Sequence, residues 1–508
     1  MKLWYSISLQ VMRQRFRFAP SPTGPLHIGG ARTALFNFLI AKQTNGVFIL
    51  RIEDTDKGRL VEKSEGYIEA ALDWLKLSPD EGPRTGGEFG PYRQSDRLDI
   101  YRKKIKELIR AKKAYYAFDS KTALNELREK EERRGSKFKY GYLNRLELDN
   151  SLKLNEKEIV NRIKKEPYVI RLKIEKGVTE TKDILRGNIS INNEVLDDKI
   201  LLKADGYPTY HFANVVDDHL MKISTVIRGE EWLPSLAIHK LIYDAFNWKT
   251  PDFLHLPLIL KPEGKGKLSK RDADKGGFPV FPLRWRENLG YKELGFLNVG
   301  LVNYLALLGW NPGIEKEVYS LKELIEKFSF AGIQKGGAKF DYTKAKWINQ
   351  KHLSVMTYGG FDLTYPNKAI QLKKHYPKHY NEIYNEIRNR ITLLNDLDNE
   401  LRPFLENPNT YDNKFLKKQE KNHNLLEVLS EIETSIRTEG LNNLKENLYE
   451  ISKSKEIKFS LIMQLLRLSF VGNMSGPDLF FMAKVLTKTI SLKRVLALSY
   501  YIKKNNSL

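Results

Sequence analysis

The chain has 508 residues, 41% of them hydrophobic and 29% charged, so it can bury a core, is not broadly disordered, and has length for about three domains. A formal net charge of +22 makes a polyanion, nucleic acid first, the candidate partner, beside the plainer reading of a solvated lysine surface. Without cysteine there are no disulfides or thiolate metal sites, and no apolar run is long enough to span a membrane.

Residues 1–11 are mildly apolar after Lys2 but lack a small-residue cleavage site, which argues against a signal peptide. Met12 reads as the true start, and residues 1–14 as an N-terminal extension. Residues 16–18 read as a short strand. A turn of prolines and glycines follows, Pro20, Ser21, Pro22, Thr23, Gly24 and Pro25, leading through Leu26 to His27, Ile28, Gly29 and Gly30. Beyond it, Ala31, Ala34, Leu35, Phe38 and Leu39 repeat at helical spacing. A fixed turn, a histidine and a helix N-terminus make a phosphate-binding corner: His27 can donate to phosphate oxygens, and Gly29 and Gly30 let a flat base approach the backbone. Taken alone, His-x-Gly-Gly fits a plain turn with an incidental histidine better.

Residues 47–52 read as a buried strand running into Arg51, Ile52, Glu53, Asp54, Thr55 and Asp56. Open α/β sheets bind ligands past the carboxyl ends of strands, so Glu53 is placed to hold an amino group. Asp54, Thr55 and Asp56 read as caps for the helix marked by Val61, Ile68, Leu72 and Leu75, with at least one expected to cap it. Strand–helix–strand–helix in this order predicts a parallel α/β sheet. Residues 82–90 form a glycine-rich loop. Residues 115–202 change character, with a charged helix running into the basic stretch 128–139 and strand-like segments at 168–174 and 188–191; this predicts an α+β insertion.

Strand–helix signals resume from Ile200, with segments at 211–216, 225–228 and 234–246. Tyr210, His211, Asn214, Asp217, Asp218 and His219 crowd polar groups between apolar strand residues, and Arg228, Glu230, Glu231 and Trp232 follow. Asp217, Asp218 and His219 suit packing and hydrogen bonding better than metal ligation. Residues 261–277 are rich in glycine and lysine and are expected to be mobile; they carry Lys267, Leu268, Ser269, Lys270 and Arg271. A lysine on a closing loop stabilises charge on a transferring phosphate. Such a pentapeptide arises easily by chance, but paired with the His27 corner across an α/β core it is far more specific. From about Leu363 the pattern is almost wholly helical, with Ile383, Ile387, Ile391 and Leu394 on one face.

Together these segments resemble the bacterial-type glutamyl-tRNA synthetases, a class I aminoacyl-tRNA synthetase family. The stretch from Phe18 and Ala19 to Gly30 looks like the family's "HIGH"-type signature, and Lys267 to Arg271 like its "KMSKS"-type signature. Gly90, Pro91, Tyr92, Arg93, Gln94 and Ser95 also match, as do residues 205–218, 303–309, 346–349, 467–472 and 476–477. The resemblance covers essentially everything from Arg15 onward. It implies a Rossmann-like α/β catalytic domain in two halves, 15–114 and 203–262, around a connective insertion at 115–202 that takes the tRNA acceptor end. A signature-loop and stem-contact domain at 263–362 and an all-α anticodon-binding region at 363–508 would follow.

By the same resemblance, Arg17, Tyr210 and Arg228 would hold the substrate's side-chain carboxylate. Ala19, Ser21, Glu53 and Asn214 would surround its amino and α-carboxyl groups, with Trp232 and Arg59 at matching pocket positions. His27, Gly29, Gly30 and Lys270 would bind ATP, with Lys267 the other catalytic-loop lysine. The implied partners are glutamate, ATP with Mg²⁺, and tRNA(Glu), and the implied enzyme is a cytoplasmic monomer without a dedicated metal site. Two departures stand out. Many members carry a zinc-binding Cys-x-Cys where this chain reads Ala114, Tyr115, Tyr116, Ala117, Phe118 and Asp119, so zinc is not expected. Residues 272–285 are also longer and richer in glycine and proline than the family pattern. The glutaminyl-tRNA synthetases, the nearest rival, usually read Pro-Glu-Pro-Asn-Gly at 20–24 and carry distal β-barrels, which the helical C-terminal pattern disfavours.

Overall fold

Arg15–Phe18 forms β1, every residue of it buried, and pairs in parallel with β2 (Val47–Leu50), Arg15 opposite Val47 and Phe18 opposite Leu50. Side chains alternate along a strand, so Arg15 and Arg17 share one face while Phe16 and Phe18 share the other. The crossover between the strands is α1 (Ile28–Gln43), which is apolar nearly all round and buried along most of its length. It begins three residues before the helical spacing predicted, because His27 itself is its N-cap. The computed structural model describes residues 13–420 and 425–506; the Met12 start and the rest of 1–12 lie outside the described residues.

α2 (Ser64–Trp74) and α3 (Leu98–Arg110) complete the first half. The insertion follows: β3 (Ala114–Ala117), α4 (Lys121–Arg133), α5 (Glu156–Lys165), β4 (Val169–Leu172), β5 (Val178–Asp183), β6 (Gly187–Asn192) and β7 (Ile200–Leu202). β3, β4 and β7 make an antiparallel sheet. The cysteine-free segment 114–119 builds a small core there with Leu124, Tyr140 and Leu148. Its polar ends are satisfied, Tyr115 donating to Asp198 and Tyr140 to Asp119.

The second half runs α6 (Tyr210–Leu220), β8 (Thr225–Gly229), α7 (Leu236–Ala245), β9 (Asp252–Leu256) and β10 (Ile259–Leu260). Here the sequence reading needs correction: the polar segment from Tyr210 is the helix α6, not strand. Phe212, Val215 and Val216 stand at helical spacing and are fully buried, which puts Asn214, Asp217 and Asp218 on or beside the inward face. β8 and β9 are parallel, and the insertion's hairpin joins them, giving the order β6-β5-β9-β8 with Asp183 opposite Phe253. α8 (Lys270–Gly276), α9 (Asn298–Leu307), α10 (Leu321–Lys327) and β11 (Ala338–Lys339) follow, β11 pairing with β10.

The chain divides into two compact units, one running to Glu293 and taking in Asn298–Ala345, the other comprising Leu294–Leu297 and the chain from Lys346. The second unit is helical around its own core. Ile383, Ile387 and Ile391 are buried in that core as their spacing predicts, although the helix Tyr380–Arg388 ends before Ile391. None of its helices, nor any other among the described residues, is long and apolar enough to cross a membrane.

Candidate functional site

Where β1, β2 and α6 meet, the first unit buries a network of charge. Arg51, fully buried, donates to Asp218 at 2.7 Å and to Glu53 at 3.0 Å. Arg17 grips both oxygens of Asp218 through Nε and Nη2, at 3.0 and 3.1 Å. Asp217 accepts from Arg97, Gln94 and Tyr101 at 2.7 to 2.9 Å. Buried ions persist only when their hydrogen-bonding capacity is met, and these two aspartates are satisfied by arginines rather than by a metal. Against the upward push of burial, Arg17 and Arg51 draw the Asp218 carboxyl down. Among the described residues no cluster of three His, Asp or Glu side chains could hold a metal ion.

An open cleft of about 660 Å³ lies over this network. Arg17, Ala19, Ser21, His27, Gly29, Gly30, Glu53, Arg59, Tyr210, Asn214, Arg228, Trp232, Lys267 and Lys270 all line it, so the side chains named from the sequence share one space. Glu53 Oε1 accepts from Arg51 and from Asn214 Nδ2 at 2.9 Å, while the buried Asn214 Oδ1 has no partner among the described residues. Burial pushes the Glu53 carboxyl up, against the pull of Arg51 and Arg17. An open amide acceptor beside a carboxylate suits a group rich in N–H donors.

Arg228, 5% exposed, extends from β8 into the same wall. It donates Nε–H to His255 Nε2 at 3.0 Å, Nη1–H to Tyr210 Oη at 3.1 Å and to His239 Nδ1 at 3.3 Å, and Nη2–H to the Trp232 carbonyl at 3.3 Å. Each of these acceptors is neutral. Burial lowers the guanidinium's pKa and raises that of Tyr210 to about 12, so the phenol stays protonated. Tyr210 packs at a tilt against Trp232, ring centres 4.3 Å apart, and both line this end of the cleft.

At the other end, His27 Nδ1 accepts the Gly29 N–H at 3.2 Å, which places the ring proton on Nε2. Nε2 is buried and has no partner among the described residues. Burial, then Lys267, lowers the His27 pKa to about 4, so the ring is a neutral donor near pH 7. The first turn of α1 is partly used up: Ile28 N–H donates to the Val280 carbonyl at 2.9 Å and Gly29 N–H to His27. A Cβ on Gly30 would stand 2.7 Å from Leu26 Cδ1, so that glycine has a packing reason of its own. Residues 261–268 turn back along β10, Leu268 N–H donating to the Ile259 carbonyl at 2.8 Å. Lys267 is paired with Glu231 at 2.8 Å. Lys270 opens the seven-residue α8, which Ser269 and Asp272 cap reciprocally.

The comparisons with known proteins bear on this geometry. Residues 13–347 match the model of the class I tRNA synthetase (E and Q) catalytic domain, and residues 364–498 an anticodon-binding domain. The chain belongs to the class I synthetases for glutamate and glutamine, in the branch of the bacterial glutamate–tRNA ligases. It is 46% identical to the glutamate–tRNA ligase of Christiangramia forsetii over 95% of this chain and 97% of the relative, and 46% identical to that of Flavobacterium johnsoniae over 95% and 98%. The crystal structure of a glutamate tRNA ligase from Elizabethkingia meningosepticum, in complex with its amino acid, superposes with a TM-score of 0.88 at 42% identity, covering 95% of this chain and 98% of that one.

Some parts of the synthetase's cleft escaped the sequence reading. The N-cap of α2 is Lys63, without a side-chain bond, so none of Asp54, Thr55 and Asp56 caps that helix as expected; Asp54 instead accepts from Ser95 N–H and Oγ. The long segment after Arg271 carries Phe281, whose ring meets His27 edge-on at 6.2 Å, and Val280, which takes the Ile28 N–H. Tyr67 ties its continuation down by donating to the Leu283 carbonyl at 2.6 Å. His239, His255 and Asp183 lie outside every motif of the sequence; nothing in their local sequence context distinguishes them.

Proposed function

We propose that the cleft activates glutamate with ATP and then passes it to tRNA(Glu), the activity of a glutamate–tRNA ligase. The observation that carries this is Arg228, a buried guanidinium on the cleft wall whose hydrogen-bond acceptors are all neutral. An anionic side chain supplies the missing charge in a charge-assisted bond. A glutamine amide would leave that donor poorly compensated.

In this reading Arg228, Tyr210 and Arg17 surround the side-chain carboxylate, with Trp232 covering it. Glu53 and Asn214 take the amino group, with Ala19 and Ser21 beside the α-carboxyl. His27, Gly29, Gly30 and Lys270 meet ATP, and Lys267 joins them once released from Glu231. The α-carboxylate attacks the α-phosphate in line, pyrophosphate leaves, and glutamyl-adenylate forms. A terminal ribose hydroxyl of tRNA then attacks the activated carbonyl and releases AMP. No protein nucleophile is required; positioning and charge stabilisation do the work. Mg²⁺ would arrive on the phosphates of ATP, since Glu53 and Glu231 already have cationic or amide partners here.

We assign residues 115–202 to the acceptor end of the tRNA and residues 363–508 to its anticodon. The enzyme is read as a cytoplasmic monomer, as the family resemblance implies. Pyrophosphate exchange with glutamate, with and without cognate tRNA, tests the activity; no exchange with tRNA present would remove it. Arg228→Ala is expected to raise the glutamate KM steeply, so that activation is lost at ordinary glutamate concentrations, while tRNA binding in a filter assay stays largely intact. Equal loss of both would count against the role given to Arg228.

A further inference from the structure

Arg17, Arg228 and Glu53 line the cleft, and Arg51 and Arg97 lie in the network beneath it with Asp217 and Asp218. Arg17, Arg51 and Arg97 each hydrogen-bond a carboxylate, and Arg228 bonds none directly. The difference lies in what meets the guanidinium's Nε edge. Arg17 turns that edge, with Nη2, onto both oxygens of Asp218. Arg228 turns it onto an imidazole, His255 Nε2 at 3.0 Å.

A guanidinium only donates, so His255 Nε2 must accept and the imidazole proton must sit on Nδ1. Nδ1 lies 2.8 Å from Asp183 Oδ2, which takes that proton as an acceptor. Asp183 is itself held by backbone N–H groups, those of Leu185 and Arg186 on Oδ1 and of His255 on Oδ2, all at 2.9 Å. Asp183 and His255 are both 0% exposed, on the neighbouring strands β5 and β9. On the other side of Arg228, His239 Nδ1 must accept for the same reason, and its Nε2–H donates to His211 Nδ1 at 3.2 Å. Burial holds both His255 and His239 below the ordinary histidine range, which keeps them neutral acceptors.

We propose that His255, with its tautomer fixed by Asp183, is a positioning residue that sets the preference for a carboxylate over an amide side chain. It orients Arg228 without neutralising it, so the guanidinium's charge is left to the substrate. A carboxylate at the same place, with Asp183 changed to an amide so that two buried acids do not face each other, would orient Arg228 and cancel that charge. This inference rests on the assignment of Arg228 to the side-chain carboxylate.

The test compares wild type, Asp183→Asn, His255→Gln, His255→Glu, Arg228→Ala and Arg228→Ala/His255→Glu in pyrophosphate exchange with tRNA present, using glutamate and glutamine as substrates. Asp183→Asn is also present in every His255→Glu protein, so that two buried acids do not face each other. His255→Glu is expected to raise the glutamate KM about tenfold with kcat within about threefold, and to shrink the glutamate-to-glutamine ratio of kcat/KM by about tenfold. His255→Gln, whose amide oxygen still accepts, is expected to keep that ratio within about threefold of wild type. In the Arg228→Ala background, His255→Glu is expected to change the ratio no further. An unchanged ratio in His255→Glu, or an equal loss in His255→Gln and His255→Glu, overturns the proposal. KM and the ratio do not depend on the fraction of active enzyme; if His255→Glu does not fold, His255→Leu, which offers Arg228 no acceptor, decides, and a glutamate KM and ratio unchanged from wild type overturn the proposal. A glutamate KM unchanged in Arg228→Ala would instead defeat the underlying assignment of Arg228.

Discussion

Arg17 and Arg228 face one cleft, yet their surroundings give them different work. Arg17 lines the cleft with its charge already paired to Asp218, whereas Arg228 keeps its full charge for a ligand. The same contrast explains why Asp217 matters for stability rather than chemistry. It is fully buried and receives three donors, Arg97 among them. Asp217→Asn removes the countercharge while leaving Arg97 buried, and is expected to cost about 3–5 kcal/mol in urea unfolding, the usual penalty for breaking a buried pair. His27 supports a pH prediction. Its pKa falls from 6.5 unfolded to about 4 folded, so between those values the unfolded chain binds a proton that the native state does not. Stability therefore rises with pH across that window, and acid works against the fold. His27→Gln removes this contribution and is expected to flatten the dependence of unfolding free energy on pH between about 4 and 6.5. Parallel curves for the two proteins would refute the buried neutral imidazole.

Among the elements, α8 shows how a signature loop is given shape. Seven residues are too few for a helix to hold itself, and the reciprocal Ser269–Asp272 cap supplies what the length does not. Ser269→Ala is expected to lose about 1 kcal/mol of that local stability. Because the segment is exposed, the expected readout is a several-fold fall in the exchange rate at an unchanged melting temperature. A matching drop in melting temperature would mean the cap supports the fold rather than the loop. The elements also show what the sequence carried. β1, α1, β2 and the C-terminal helices were legible, since buried apolar runs and helical spacing announce themselves within a few residues. α6 was misread because the polar side chains it points inward serve the charge network and disguise the helical spacing of Phe212, Val215 and Val216. The cleft's lining was legible through the resemblance, residue by residue. Asp183 and His255 were not, because they stand 72 positions apart and meet only when the insertion's hairpin joins the β8–β9 sheet.

Over the whole molecule, two kinds of electrostatics coexist and respond differently to salt. The net charge of +22 acts outward through water and is screened within about 8–10 Å at ordinary ionic strength. Arg228 acts inside a wall that excludes most solvent and is screened far less. Partition of roles between the two follows. A polyanion neutralised by many surface lysines and arginines loses affinity steeply as salt displaces it, by counterion release. A single carboxylate meeting a buried guanidinium does not. Raising KCl from 50 to 200 mM is therefore expected to increase the KM for tRNA in aminoacylation by about tenfold or more. The KM for glutamate, measured at saturating tRNA over the same range, is expected to move by less than about twofold. A flat tRNA KM would show the surplus lysines to be a solvated surface with no share in binding. A glutamate KM that climbed in step with that for tRNA would place the substrate's carboxylate in solvent, away from Arg228.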